Sequence, residues 1–557
     1  HQEIQHMPQL TINGKTCSFE KGETILQAAL RHDEEIPHYC YHPGLSIVAN
    51  CRICLAEVWS PDPKTGALRA GNKLFPTCQT PAVEGQVVYT DSPKAVGNQK
   101  AVMEFLLINH PVDCPVCDQA GECHLQDYSY QYGRGESRFK EAKNKRPKKD
   151  VGPHVLLYSD RCIMCTRCVR FTREVTGTGE LMVDGRGSIE EIDIFPGIAL
   201  DNELSGNVVD ICPVGALLDK DFLFQQRVWF LKKTPSIDGI TASGDNISVE
   251  HNEGVIYRVK PRDNVEVNKW WITDEVRYGW KFVHSENRLK LPAIKGRDAF
   301  VADDAAAAWS DALSATMNTL EGAVKNGGRL GVMVSPMLTC EDAFLLATTI
   351  LSIDAQAELA VGPIPVLGQD KTFPGGFTMY AEKAPNARGV RRVLEALAKG
   401  RKVHDAASFE TAAKSKAISA AVVTGNYPSD WVMPSLQSAL SNVKLIVIDT
   451  LPSTLLDIAE VVLPGATWTE KSGTFENAKN RLQSFERAIS TVDFAKGESQ
   501  IALDLQAARA GVKAKAFDAA NTRADMARVV GLERFTTDLH APPKPAKVAG
   551  DMVLIEI

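Results

Sequence analysis

The sequence predicts a multidomain protein of the α+β and α/β classes, and three observations support that prediction. The chain has 557 residues, of which 44% are hydrophobic, enough for several separate cores. Twelve of its thirteen cysteines lie before residue 213. Short apolar segments that suit parallel strands follow residue 330, with helical stretches between them. The first part is therefore expected to be built around cysteine sites, and the last part around a parallel sheet.

The cysteines form three groups, each with three closely spaced ligands and one distant or leading partner. Structural zinc sites usually combine two close pairs of ligands, whereas three close ligands with a remote fourth are typical of multi-iron clusters. We therefore interpret the groups as iron-sulfur sites in series, with a zinc-stapled scaffold as the non-redox alternative. The first, second and third groups are Cys40, Cys51, Cys54 and Cys78; His110, Cys114, Cys117 and Cys123; and Cys162, Cys165, Cys168 and Cys212.

The spacing within each group indicates the kind of cluster. In the third group, C-x2-C-x2-C is followed by a remote cysteine before Pro213, the spacing of ferredoxin-like 4Fe-4S sites. The first group resembles plant-type 2Fe-2S sites, although its first gap holds ten residues instead of four. A lone histidine before a proline is more often a helix-end residue than a ligand. The position of His110 ahead of a C-x2-C motif nevertheless favours the ligand interpretation.

The two remaining cysteines, Cys17 and Cys340, are isolated and are expected to be buried small apolar residues. A disulfide framework is improbable in a long chain with clustered C-x2-C pairs, and thiolate clusters need reducing conditions. No signal peptide and no apolar run of membrane-spanning length is visible. We therefore expect a soluble protein on the reducing side of any membrane it serves. Whether residues 1–6, before Met7, are native is left open.

Charge argues against nucleic acid as the principal partner, because the net charge is −7 and the isoelectric point is about 6.0. One basic stretch runs from Lys140 to Lys149. It has no interleaved aromatic residues, so we interpret it as a solvated linker, with docking to an acidic partner as the alternative.

Local patterns before the second group predict a hairpin and two helices. Asn13-Gly14 supplies the positive φ angles of a tight turn between two short strands at residues 10–12 and 16–19. Thr24 is the expected N-cap of a helix that ends at Arg31. A longer helix is expected to open at residues 91–93 and to stop before Pro111, with His110 at its C-terminal end.

These features resemble the family of the large iron-sulfur subunit, the G-type subunit, of NADH-quinone oxidoreductase, respiratory complex I. The resemblance rests on the order of the cysteine groups, on residues 103–111 (MEFLLINHP) leading into the second group, and on residues 121–127 (GECHLQD). It covers residues 7 to 290 strongly. Similar modules occur in iron-only hydrogenases, NAD-linked formate dehydrogenases and NAD-reducing hydrogenases, so the modules alone do not select the enzyme.

A fourth cluster site of the family pattern, C-x2-C-x3-C-x27-C, keeps its spacing here without its cysteines. Its four positions hold Asp238, Thr241, Asp245 and Thr273. Carboxylates and hydroxyls are hard oxygen donors that do not suit an iron-sulfur cluster. We expect this to be a lost cluster site.

The last part of the chain resembles a shortened molybdopterin-oxidoreductase domain. Apolar segments at 331–334, 421–423 and 445–448 predict a parallel α/β sheet, and residues 458–464 and 470–477 are similar to that family's signature. No cysteine follows Cys340 and no other plausible molybdenum ligand is present, so we expect a scaffold without molybdopterin. Gly425-Asn426-Tyr427 is expected to turn the chain and not to bind phosphate. The scarcity of cysteine after Cys212 also excludes the active site of an iron-only hydrogenase.

Four arginines stand beside predicted ligands in the sequence, namely Arg52, Arg161, Arg167 and Arg170. Two interpretations remain open. Their charge could offset the negative charge of the clusters, or they could be ordinary surface arginines.

The predicted function is that of an electron-transfer subunit without a complete active site of its own, because no nicotinamide, flavin or quinone motif is visible. The resemblance implies one 2Fe-2S and two 4Fe-4S clusters that relay electrons from an NADH-oxidising flavoprotein subunit towards a ferredoxin-like two-cluster subunit and quinone. It also implies contact with the membrane only through the complex, at the cytoplasmic face of a bacterial inner membrane or the mitochondrial matrix side. The alternative is a component of a soluble NAD-linked hydrogenase or formate dehydrogenase.

We predict five parts. They are a two-iron ferredoxin-like domain (1–90), a histidine-plus-three-cysteine module (91–150), a four-iron ferredoxin-like module (151–230), the lost cluster site (231–290) and the molybdopterin-oxidoreductase-like domain (291–557).

Overall fold

The computed structural model describes residues 7–543, so residues 1–6 and 544–557 lie outside the described residues. The described chain divides into two compact units. The first unit holds residues 7–231 and 373–377, and the second holds residues 232–372 and 378–543. The finer division into five parts stays a prediction.

The strands and helices of the first unit are short. Its strands are β1 (Gln9–Ile12), β2 (Lys15–Ser18), β3 (Leu55–Pro61), β4 (Leu68–Ala70), β5 (Phe75–Pro76), β6 (Val87–Tyr89), β7 (Lys148–Asp150), β8 (Val155–Tyr158), β9 (Leu181–Asp184), β10 (Glu191–Ile194) and β11 (Leu217–Asp219). Its α-helices are α1 (Ile25–Arg31), α2 (Pro93–Asn109), α3 (His124–Tyr132), α4 (Arg167–Arg170) and α5 (Asn207–Ile211). A π-helical turn at Phe171–Thr176 continues α4, and 3-10 turns lie at Cys114–Val116, Ser159–Arg161, Gly187–Ile189 and Val228–Phe230.

The first sheet has the order β2-β1-β6-β3-β4, with β5 beside β3. The predicted hairpin is confirmed, since β1 and β2 pair antiparallel and Asn13 and Gly14 have φ angles of 47° and 85°. Thr24 caps α1 in a capping box with Gln27, as expected for that N-cap. Cys17 is fully buried in the core between this sheet and α1, which agrees with the sequence expectation.

The long helix α2 confirms the third local prediction. Ser92 accepts a hydrogen bond from the Ala95 amide at the N-terminus, and Pro93 occupies the first turn. His110 is the C-cap residue in an extended conformation, because the following Pro111 disfavours further helix. The helix therefore delivers its terminal histidine to the start of the second ligand group.

The second unit contains the remaining strands and helices. Its strands are β12 (Lys232–Ile237), β13 (Asn246–Asn252), β14 (Val255–Pro261), β15 (Ala293–Ile294), β16 (Leu330–Val334), β17 (Glu358–Val361), β18 (Lys371–Thr372), β19 (Thr378–Met379), β20 (Ala420–Thr424), β21 (Lys444–Asp449), β22 (Val461–Pro464), β23 (Gly473–Glu476), β24 (Leu482–Phe485) and β25 (Leu539–His540). Its α-helices are α6 (Asp274–Tyr278), α7 (Ala305–Lys325), α8 (Cys340–Ile353), α9 (Ala387–Ala398), α10 (Ala406–Lys414), α11 (Pro434–Leu440), α12 (Glu498–Ala510), α13 (Ala519–Met526) and α14 (Arg534–Thr537). The 3-10 turns lie at Gly279–His284, Ala302–Asp304, Thr454–Asp457 and Trp468–Glu470.

The central sheet of the second unit has the order β15-β22-β21-β20-β16-β17. All neighbours in it are parallel except the short edge strand β15, which confirms the predicted parallel α/β sheet. Its strands are buried almost throughout because helices cover both faces, as their continuous apolar sequences require. Cys340 is fully buried at the start of α8, as expected. Asn426, with a φ of 76°, turns the chain after β20.

Within residues 7–543, we find no helix whose length and hydropathy would suit it to spanning a bilayer.

Candidate metal centres

The four thiols of the first group are brought together by the loop before β3 and the loop after β5. Cys54 Sγ lies 3.5 Å from Cys78 Sγ, and the Cys40 sulfur is within hydrogen-bonding reach of Cys51 and Cys78. Three of the four are buried, and Cys51 is partly exposed. Backbone amides of Asn50 and Cys51 point at the Cys40 sulfur, which is the environment that a negatively charged cluster needs.

The third group lies around the N-terminus of α4 and the end of α5. A cavity is lined by all four of its cysteines and by apolar side chains that include Leu157, Ile163 and Val214. Burial raises the pKa of all four thiols, that of Cys165 to about 11. Four buried thiolates without a metal would be costly, so a metal that binds there would have to displace protons.

Backbone amides also point at the third group. The Met164 amide donates to Cys162 Sγ at 3.3 Å. The sulfur of the remote ligand, Cys212, receives hydrogen bonds from the amides of Val214, Ala216 and Leu217. This donor set fits a cluster whose reduced form gains negative charge.

The second group follows α2. Burial raises the pKa of the Cys117 thiol, and it raises the pKa of Cys123 to about 12; the charge of Cys117 lies close enough to Cys123 to add to that shift. Burial lowers the pKa of His110 to about 4, so the imidazole is neutral, which is the form that binds metal. The Val112 amide donates to His110 Nδ1 at 3.1 Å, which orients the ring and places the proton of the neutral imidazole on Nε2. A metal at His110 would therefore have to replace either this hydrogen bond or the Nε2 proton.

All three loops use a backbone conformation that non-glycine residues rarely adopt. Positive φ angles between 51° and 60° occur at residues that flank ligands in each group. Such residues turn successive N–H groups towards one side, and they are typically found at functional sites. They are Ala49, Arg52, Val112, Met164 and Thr166.

Gly215 packs directly against a ligand of the second group. A Cβ built on it would lie 2.3 Å from Cys117 Sγ and 3.2 Å from the Gln119 Cβ. The loop after Cys212 of the third group therefore closes on the sulfur of a second-group ligand, and only glycine fits at this position.

Gly215→Ala is expected to weaken iron binding by the second group, because the added methyl displaces the Cys117 sulfur, and overpacking of this kind costs about 1–3 kcal/mol. Iron analysis and electron paramagnetic resonance (EPR) of the anaerobically purified chain would measure the loss. Gly97→Ala in α2 is the matched control, since no atom of the described residues outside its own helix backbone lies within 4 Å of its Cβ position. Equal iron contents in the two variants would contradict the expectation.

Three of the four arginines that stand beside ligands are buried, so the surface interpretation is wrong for Arg161, Arg167 and Arg170. The side chain of Arg161 is 2% exposed, stacks on Tyr158 and donates to Asp113 Oδ2 at 2.5 Å. Arg52 is exposed, which agrees with the surface interpretation. Arg161 is already paired with Asp113, so the buried positive charges that are left to offset cluster charge are those of Arg167 and Arg170.

The loop that holds the predicted lost cluster site is closed by hydrogen bonds. The buried Asp238 carboxylate accepts from the Ile240 amide at 2.7 Å, the Ser243 hydroxyl at 2.9 Å and the Thr241 hydroxyl. Asp245 is close enough for its charge to interact with Asp238, and burial raises its pKa well above the ordinary value.

The fourth position of that site has a different role. Thr273 is the N-cap of α6, and its hydroxyl accepts a hydrogen bond from the Val276 amide. The structure therefore brings Asp238, Thr241 and Asp245 together and uses Thr273 to start a helix.

Sequence reasoning missed the residues that support the ligands from a distance. Val112 and Gly215 are examples, and so is the pairing of Arg161 with Asp113. A glycine soon after a cysteine-proline pair is a signal for close backbone approach. The pairing of Arg161 with Asp113, which lie 48 positions apart, cannot be recognised from a single sequence.

A chain with a ferredoxin-like sheet and three groups of convergent thiols is a multi-cluster iron-sulfur protein, and family models agree. They match a 2Fe-2S iron-sulfur cluster binding domain at residues 5–93 and the NADH-ubiquinone oxidoreductase-G iron-sulfur binding region at 99–138. They also match the ferredoxin-like domain of NADH-quinone oxidoreductase subunit 3 at 152–218, an NDSU1/NuoG-like 4Fe-4S domain at 231–281 and molybdopterin oxidoreductase at 409–508. The predicted fold class is thereby confirmed.

The resemblance to the G-type subunit of NADH-quinone oxidoreductase is confirmed by curated relatives. The G-type subunit of this enzyme from Rickettsia felis is 38% identical over 342 residues, which are 61% of this chain and 48% of that protein. The mitochondrial NADH dehydrogenase (ubiquinone) iron-sulfur protein 1 of Solanum tuberosum is 45% identical over 303 residues, 54% of this chain and 39% of its own length. The chain thus spans about half or less of the length of these relatives.

One solved structure is titled NAD+-reducing NiFe hydrogenase in the H2-reduced state. Its chain aligns with 40% of this chain and 91% of its own, at 28% identity and a TM-score of 0.32. That score is too low to support a structural argument.

Proposed function

We propose that this chain is an electron-transfer subunit of NADH:quinone oxidoreductase that holds one 2Fe-2S and two 4Fe-4S clusters. The first group would hold the 2Fe-2S cluster, and the second and third groups would hold the 4Fe-4S clusters. The observation that carries the proposal is the convergence of the cysteines of three separate groups within the first unit, each in a region that matches an iron-sulfur family model. All thirteen cysteines are free of disulfides, so every ligand is available.

Different groups of this chain would supply the ligands, the hydrogen bonds and the apolar surroundings of such centres. An iron-sulfur cluster takes up and releases one electron at a potential that hydrogen bonds, charge and burial adjust. The thiols and His110 supply the ligands, and the backbone amides at Cys40, Cys162 and Cys212 supply hydrogen bonds to sulfur. The apolar side chains around the third group exclude water.

The partners and location follow from the same proposal. An NADH-oxidising flavoprotein subunit would deliver electrons, and a ferredoxin-like two-cluster subunit would carry them on towards quinone. The chain would lie in the peripheral arm of the complex, on the cytoplasmic face of a bacterial inner membrane or the mitochondrial matrix side. It would meet the membrane only through its partners.

The second unit is proposed to serve as a scaffold without a redox centre. Its central sheet overlaps the molybdopterin-oxidoreductase match, but the sequence after Cys340 contains no further cysteine. The side chains of Asp238 and Thr241 bond with each other and with Ser243, whereas Oδ2 of Asp245 is buried without a hydrogen-bond partner among the described residues. Oxygen donors do not suit iron-sulfur clusters.

The test replaces one cysteine ligand in each group and measures how much iron and which EPR signal is lost. The anaerobically purified chain should contain about ten iron atoms, the sum of one 2Fe-2S and two 4Fe-4S clusters, and no molybdenum. Cys54→Ser, Cys123→Ser and Cys168→Ser should each remove one EPR signal of the dithionite-reduced chain. The expected losses are about two, four and four iron atoms.

Cys17→Ser is the control, because Cys17 is buried beside the first group without belonging to it. It should leave all three signals in place. Stoichiometric zinc without iron would support the zinc scaffold instead, and a fourth cluster or molybdenum would refute the assignment of the second unit.

A further inference from the structure

One helical stretch connects the loops of the first and third ligand groups. It consists of α4 and the π-helical turn after it, and it presents three charged side chains, Arg167, Arg170 and Glu174, to the loop at residues 40–46. Because the stretch also contains the ligand Cys168, any shift of it moves both groups.

Arg170 makes the most direct connection. Its Nη2 donates to the Cys40 carbonyl at 2.6 Å and to the Cys165 carbonyl at 3.2 Å, so one guanidinium group bonds to a ligand residue of each group. Its Nη1 donates to the Ser46 carbonyl at 2.5 Å, and its Nε donates to the Thr166 hydroxyl at 3.4 Å. The residue is 8% exposed, so water does not compete strongly for these bonds.

Neighbouring side chains reinforce that connection. Arg167 donates to the Tyr41 carbonyl at 2.5 Å and to the Ile211 carbonyl at 3.1 Å, next to ligands of the first and third groups. Glu174 accepts from the Ser46 amide at 2.9 Å and from its hydroxyl at 2.6 Å. Rotation of the loop that carries the first group or of the loop that carries the third group would break several of these hydrogen bonds at once.

The Arg170 guanidinium lies against the backbone of a ligand residue in each of the two groups. The hydrogen-bond acceptors of its guanidinium are three carbonyls and one hydroxyl, and none of them carries a formal negative charge. A buried positive charge that lacks a bonded carboxylate favours any added negative charge nearby. Added charge is what reduction brings to an iron-sulfur cluster.

We propose that Arg170 is a positioning residue that fixes the first and third groups relative to each other and raises the reduction potentials of both centres together. This inference rests on the proposed function, since it requires clusters in both groups. A single side chain would thereby keep the reduction potentials of the first and third centres close to each other, so that neither centre retains the electron.

The test compares Arg170→Gln, Arg170→Lys and Arg173→Gln in the full chain by EPR-monitored redox titration, with iron counted in each sample. Arg170→Gln removes the charge, and Arg170→Lys keeps it on a compact ammonium group that lacks the planar fork of the guanidinium. Arg173 lies in the same stretch but is exposed, so Arg173→Gln is the matched control.

In Arg170→Gln, the midpoints of both the first and third centres should fall. At a fixed potential the reduced-to-oxidised ratio of each should drop tenfold or more, which corresponds to about 59 mV for one electron. The centre of the second group should shift less. Arg170→Lys should restore more than half of each shift, and Arg173→Gln should leave all midpoints unchanged.

The inference is overturned if Arg170→Gln retains its iron and leaves either midpoint unchanged, or if Arg173→Gln shifts both equally. If Arg170→Gln does not retain iron, the magnetic interaction between the reduced first and third centres is measured in Arg170→Lys. A weaker interaction than in the parent chain supports the positioning role, and an unchanged interaction refutes it. Absence of clusters from the parent chain would instead refute the proposed function.

Discussion

Replacing Arg288 by methionine is expected to lower the free energy of unfolding of the second unit by about 3–5 kcal/mol. Arg288 and Glu470 form an ion pair at 2.8 Å, and their side chains are 0% and 2% exposed. Without the guanidinium, the carboxylate of Glu470 stays buried with no positive partner. Denaturant unfolding followed by the fluorescence of the tryptophans in this unit would measure the change.

The matched control is Lys295→Met. Lys295 pairs with Glu460 at 3.0 Å, but both side chains are largely exposed, and such pairs contribute about 0–1 kcal/mol. A double variant, Arg288→Met with Glu470→Met, should recover much of the loss because it removes the unpaired charge as well. Equal effects of Arg288→Met and Lys295→Met would contradict the expectation.

Removal of iron is expected to loosen the first unit and to leave the second unit unchanged. All twelve proposed ligands lie in the first unit, in loops and short helical turns, and metal binding by such segments is part of their folding energy. Amide hydrogen exchange should therefore rise steeply around Cys40–Cys54, His110–Cys123 and Cys162–Cys168 after treatment with a chelator and an oxidant.

The central sheet of the second unit provides the internal control. Strands β16, β20 and β21 are buried and hydrogen-bonded on both sides, so their exchange should not depend on iron. A rise of similar size in both units would show that the metal supports the whole chain, contrary to the expectation.

Much of the fold was predictable because its signals are local. The Asn13-Gly14 turn, the Thr24 cap and the Ser92-Pro93 helix start each depend on a few adjacent residues. The buried parallel strands were also visible, since helices on both faces demand continuous apolar runs.

The candidate sites were predictable only as far as spacing determines them. The ligand groups were found from cysteine spacing, but the contact of Gly215 with Cys117 depends on how two loops pack. The burial of Arg170 could not be foreseen either, because its acceptors lie up to 130 residues away along the chain. Long-range packing of this kind has no counterpart in the pattern of a single sequence.

The loop from Asp238 to Asp245 differs from the metal-binding loops in what closes it. A carboxylate and two hydroxyls hold its ends together, with the Asp238 amide bonded to the Asp245 carbonyl at 2.9 Å. A loop closed by the chain's own hydrogen bonds takes its shape without waiting for cluster assembly. This part of the protein should consequently mature normally in iron-starved cells and survive oxygen, while the three thiol-rich loops depend on both iron supply and protection from oxidation.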